Sequence, residues 1–244
     1  VVIVKKDAAM RKLLIVLSMI GMLLVSCKGE DPGPGYYTLL DLEGIDAPGN
    51  DIWIITDEDG SQKFQPLREK LDGLKGSGRQ ITVILPNMTR FPGISFATFS
   101  YGGQRLPWDL SSLVSVQLPR ADTIGQWAFY GTKGLQSVLA PEAKIVYKDV
   151  FNRTGVDELY LPKVQTIYGS LGPFLHLKQL TLATQTDKPI EVNGGYNFPV
   201  IHWWYGYEEG SQECELTIGK AEAAFVEGNY YRGCGPFKSI RVVE

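Results

Sequence analysis

The sequence is poor in the side chains from which most active sites are built. It has two histidines and three cysteines in 244 residues. No CxxC pair occurs, and neither His176 nor His202 has a partner at the spacing of zinc ligands, so no metal site is expected. No serine, cysteine or carboxylate stands in the sequence context of an activated nucleophile. The chain is therefore read as not an enzyme, with no cofactor. A formal net charge of -3 gives no basic face for a nucleic-acid backbone, which excludes nucleic acid as an expected partner. Asp57-Glu58-Asp59-Gly60 has the look of a calcium loop but lacks the remaining ligands and the distal glutamate, and reads better as an acidic turn. The apolar run near the N-terminus, Leu13–Val25, is 13 residues long. A membrane-spanning helix needs about 20.

What that run does have is the right flanks for export. Arg11 and Lys12 follow Met10 and precede it, and it ends in Leu24-Val25-Ser26-Cys27. Basic residues, a short apolar core and a small residue mark a cleaved signal rather than a structural helix. The ending resembles the bacterial lipobox. The resemblance implies cleavage before Cys27 and acylation of its thiol, and several acyl chains hold far more firmly than one. Residues 1–9, upstream of Met10, are read as lying before the natural start. Lys28-Gly29-Glu30-Asp31-Pro32-Gly33-Pro34-Gly35 is too rich in Pro and Gly for helix or ladder, so residues 28–36 form a tether. Its acidic pair is similar to the surface-export signal of Bacteroidetes lipoproteins. The expectation is an outer-membrane lipoprotein displayed on the cell surface, with a periplasm-facing arrangement as the alternative.

Beyond the tether the chain repeats itself. Leu113-Val114-Ser115-Val116-Gln117-Leu118-Pro119 returns as Leu135-Gln136-Ser137-Val138-Leu139-Ala140-Pro141. It returns again as Val156-Asp157-Glu158-Leu159-Tyr160-Leu161-Pro162, then as Leu177-Lys178-Gln179-Leu180-Thr181-Leu182, starts being 22, 21 and 21 residues apart. Apolar residues stand first, fourth and sixth, so the last two alternate as on a strand with one inward face. The proline lacks an N–H, ends ladder pairing and starts a turn. An earlier copy is Val83-Ile84-Leu85-Pro86; looser late copies are Leu216-Thr217-Ile218 and Phe237-Lys238-Ser239-Ile240-Arg241-Val242. Between strands the register persists, with Ile124 leading to Ala128-Phe129 and Ile145 to Val150-Phe151.

This pattern resembles the BspA-type leucine-rich repeat of bacterial surface proteins, most clearly in Leu118-Pro119-Arg120-Ala121-Asp122-Thr123-Ile124-Gly125-Gln126-Trp127-Ala128-Phe129. The resemblance implies a leucine-rich-repeat solenoid, mostly β, of short parallel strands stacked at a period of about 21–22 residues. Residues 81–244 form the repeat domain, with an irregular segment at 185–211, and residues 37–80 form an N-terminal cap region.

Energetics require the copies to stack. One repeat offers about six apolar side chains, each contributing roughly 2 kcal/mol when buried. Ordering its residues costs about 1–2 kcal/mol each. A lone repeat cannot fold, whereas stacked repeats share one core and one hydrogen-bond ladder. In Pro66-Leu67-Arg68-Glu69-Lys70-Leu71-Asp72-Gly73-Leu74, the leucines share one helical face, which predicts a capping helix over the first strand. Tyr37–Thr56 is expected to add a strand or two.

Candidate sites follow from the register. The side chain between the last two apolar positions points away from the core, to the concave surface. Up the stack these are Ile84, Gln117, Leu139, Tyr160, Thr181, Thr217 and Arg241, with Asp157, Glu158, Lys178 and Gln179 near the strand starts. A face of mixed polarity suits a protein or peptide epitope, or is an ordinary solvated sheet. Gln117, Leu139, Glu158, Tyr160 and Thr181 are the candidate contact residues. A second candidate is Trp203-Trp204-Tyr205, which either stacks on sugar rings or packs as a cap. Cys214 and Cys234 are left once Cys27 is acylated; they form a disulfide in an oxidising compartment, or stay as buried thiols. Kinship with adhesion-associated repeat proteins implies a protein ligand. A carbohydrate-binding accessory lipoprotein using Trp203–Tyr207 and a purely structural envelope protein are the alternatives.

Overall fold

The computed structural model describes residues 50–54, 64–98, 105–174, 176–193, 202–203 and 213–244. The lipobox, the tether and most of the expected cap strands lie outside these residues. Within them the repeat becomes two stacked ladders of strands. The larger sheet holds β1 (Asn50–Ile54), β2 (Gln80–Ile84), β4 (Leu113–Gln117), β6 (Ser137–Leu139), β8 (Glu158–Leu161), β11 (Gln179–Leu182), β14 (Glu215–Gly219) and β17 (Ser239–Val243). They lie side by side in that order, every neighbour parallel. The smaller sheet is β12-β9-β7-β5-β3, built from β3 (Arg90–Phe91), β5 (Thr123–Ile124), β7 (Ile145–Val146), β9 (Thr166–Tyr168) and β12 (Glu191–Asn193).

The repeat positions do what their spacing requires. Leu113, Val116, Leu118, Leu135, Val138, Ala140, Leu159, Leu161, Leu180 and Leu182 are all at most 1% exposed, and together they line one continuous core. The prolines after the strands sit where the chain turns toward the second sheet. There Ile124, Val146 and Ile167 close the core from the other side.

Phenylalanines supply the packing axis between the sheets. Phe129 stacks on Phe91 at 5.0 Å and on Phe151 at 5.6 Å, and Phe151 stacks on Phe174 at 6.2 Å. Each coil thus adds a ring to one spine, in the offset geometry aromatic pairs prefer. Helix α1 (Phe64–Gly73) buries Phe64, Leu67 and Leu71, one stripe at helical spacing. It connects β1 to β2, so it forms the return leg of the first coil rather than an outer lid on β1. Its Phe64 meets Phe91 and Phe96 edge-on at 5.6 and 5.3 Å and finishes the spine.

The turns after β3, β5 and β7 are left-handed at matching positions, at Ile94 (φ 62), Trp127 (φ 56) and Asp149 (φ 55). Such residues cost about 1–2 kcal/mol each. The ladder holds them, because their N–H groups donate to Gln126 O, Lys148 O and Ser170 O of the next coil. Coils approach so closely here that a Cβ on Gly125 would stand 2.3 Å from Gly93 N.

The irregular segment departs from the repeat only in part. β12 still extends the smaller sheet, and β10 (Pro173–Phe174) pairs in parallel with β13 (His202–Trp203). After β14 the return leg becomes a 3-10 helix, Lys220–Phe225, and an antiparallel hairpin of β15 (Val226–Glu227) and β16 (Tyr230–Tyr231).

Candidate functional site

Parallel in-register stacking turns each outward repeat position into a column. Ile84, Gln117, Leu139, Tyr160, Thr181, Thr217 and Arg241 face one another across successive strands, as their sequence spacing requires. Beside it runs a second column, Thr82, Ser115, Ser137, Glu158, Gln179, Glu215 and Ser239. Both occupy the face of the larger sheet opposite the core, with strand spacing of about 4.8 Å. The candidate residues Gln117, Leu139, Tyr160 and Thr181 share the first column; Glu158 sits in the second, between Ser137 and Gln179.

The face is graded in exposure and charge. Ile84, at its N-terminal end, is only 4% exposed, whereas Gln117, Leu139, Tyr160, Thr181 and Thr217 are half-buried and Glu158 and Arg241 are exposed. Ser115 and Ser137 bridge their hydroxyls at 3.0 Å. Lys178 pairs with Asp157 at 3.4 Å, and Lys238 with Glu215 at 2.7 Å. The Glu215 hydrogen bond and charge hold the Lys238 ammonium above its ordinary pKa. Neutral and apolar side chains therefore dominate toward β6 and β8, and charges toward β17.

The aromatic candidate is only partly within the described residues. The backbone of Trp203 pairs with Phe174 in the β10–β13 ladder, and Trp204 and Tyr205 lie outside. Cys214 and Cys234 are present as two buried thiols and not as the expected disulfide. Each is held in its own surroundings. Cys214 packs in the core at the head of β14, and burial together with Glu215 pushes its thiol up to about 12. Cys234 sits in a bridge with Tyr231, its Sγ 4.0 Å from Arg232 O.

Two features escaped the sequence reading. The first is a polar cluster under the last coil, centred on Glu222, which is 0% exposed. Its carboxylate accepts from Tyr231 Oη at 2.5 Å, from Arg232 Nε at 2.9 Å and from the Ile190 N–H. Arg232 also donates to Ile190 O at 2.9 Å and lies over the Phe225 ring. Burial and Glu222 both raise the Tyr231 phenol pKa. With every oxygen satisfied, the cluster is a structural tie between β12, the 3-10 helix and the hairpin. The second is Tyr147 stacked on Tyr168 at 4.9 Å on the smaller sheet. That pair was readable, since each tyrosine directly follows the inward aliphatic of its strand, Val146 or Ile167, 21 residues apart. Among the described residues, no three His, Cys, Asp or Glu side chains gather as metal ligands.

Two parallel ladders of short strands, one coil per 21–22 residues through the middle of the chain, with leucine and its relatives facing inward, make this a leucine-rich-repeat solenoid. No family model matches the chain, and no curated protein matches it. Among solved structures it is similar to the T. pallidum leucine-rich-repeat protein TpLRR, with 17% identity and a TM-score of 0.40, over 67% of this chain and 70% of that one.

Proposed function

We propose that this protein is a BspA-type surface lipoprotein of the bacterial envelope that recognises a protein ligand through the open face of its larger sheet. The supporting observation is the in-register column Gln117–Leu139–Tyr160–Thr181–Thr217–Arg241, a set of outward side chains on a backbone that the core beneath holds still. Solenoids use such extended faces for binding, and a mixed column with one central aromatic suits a protein surface better than a charged polymer. The signal-like run and Cys27 support export and acylation, and the acidic pair Glu30-Asp31 supports display outside the cell.

Protease shaving of intact cells tests display. Loss of the protein from shaved cells supports the surface reading; full protection, with normal digestion after lysis, moves the face to periplasmic partners. Binding is tested by screening envelope and host proteins against the full chain and against Tyr160→Ala and Leu139→Ala variants. Ligand capture lost in these variants but kept in Tyr168→Ala, on the smaller sheet, supports the reading. Capture unchanged by both face variants overturns it. Glycan binding through Trp203–Tyr207 is the alternative; a glycan ligand lost with Trp203→Ala and kept with Tyr160→Ala would establish it.

A further inference from the structure

We draw no further inference here: the strongest candidate, the apolar surface at the β17 edge of the larger sheet, where Val242 of the inward row is 43% exposed and Phe225 and Tyr230 on the leg leading into that strand are exposed too, carries nothing because nothing in the structure shows what covers it.

Discussion

Arg232 and Glu222 form the one strongly buried ion pair among the described residues, Arg232 Nη2 lying 2.9 Å from a carboxylate with no exposed surface. The guanidinium is also seated on Phe225, 3.8 Å from its ring centre. Exposed pairs such as Lys163–Glu142 contribute little, because water and rotamer entropy offset them. Here removing one partner strands the other, together with Tyr231 Oη and the Ile190 N–H. Glu222→Ala is expected to cost about 3–5 kcal/mol in urea unfolding. A loss under about 1 kcal/mol would show that water replaces the carboxylate and that the cluster does not hold the last coil.

The phenylalanine spine sets a second expectation. Phe129 has a ring on either side and no exposed surface, so truncation leaves a cavity that neighbouring coils can fill only by shifting the ladder. Phe129→Ala should cost about 3–5 kcal/mol. Tyr168 is 38% exposed at the end of β9, and Tyr168→Ala should cost much less. Equal losses in parallel denaturant curves would contradict a spine that carries the packing.

Much of this was visible in the sequence, for a physical reason. The larger-sheet strands are long enough to alternate, so one register of inward residues assigned every outward column member from Ile84 to Arg241. The smaller sheet has strands as short as two residues, which carry no readable alternation; only the recurring apolar and Phe positions hinted at a second wall. The Glu222 cluster had no sequence signal. A buried carboxylate breaks the apolar rule, and its partners lie 9, 10 and 32 residues away, at no repeat spacing. Cys214 and Cys234 were an even pair by count, but counting does not orient side chains.

Close approach between coils makes glycine necessary at one repeat position. A Cβ at Gly125 would meet backbone alone, Gly93 N at 2.3 Å and Pro92 C at 2.7 Å, and backbone in a ladder cannot swing away as a side chain can. Gly125→Ala should cost about 1–3 kcal/mol or prevent folding. Gly73, at the end of α1, has nothing within 4 Å of its added Cβ. Gly73→Ala should be neutral or stabilising by up to about 1 kcal/mol. Thermal melts of the pair give the comparison, and a neutral Gly125→Ala would refute the tight contact.

The buried thiol gives a pH dependence. Burial first, and Glu215 second, push Cys214 up to about 12, so the fold keeps the protonated form where an unfolded thiol has already ionised. A free cysteine ionises near 8.5. Below that value both states are protonated and pH changes nothing. Above it the unfolded state loses its proton first, so stability falls as pH rises toward about 12. Cys214→Ala should flatten that fall, measured by urea unfolding against pH. In urea without reductant, iodoacetamide should modify both Cys214 and Cys234; protection of both until reductant is added would establish the disulfide instead.

The proposed anchor makes the last prediction, and it is independent of the fold. Acylation needs the thiol itself, so Cys27→Ser should abolish incorporation of a radiolabelled fatty acid while leaving the apolar run to direct export. Without the lipid, the remaining membrane affinity is that of a tether containing charge, proline and glycine, which is negligible beside several buried acyl chains at about 0.8 kcal/mol per CH₂. The variant should therefore leave the membrane fraction and appear in the soluble envelope fraction. Lipid labelling that persists in Cys27→Ser would place the modification elsewhere and remove the lipobox reading. Labelling lost with membrane association retained would mean that protein contacts, not the acyl chains, hold the solenoid at the envelope.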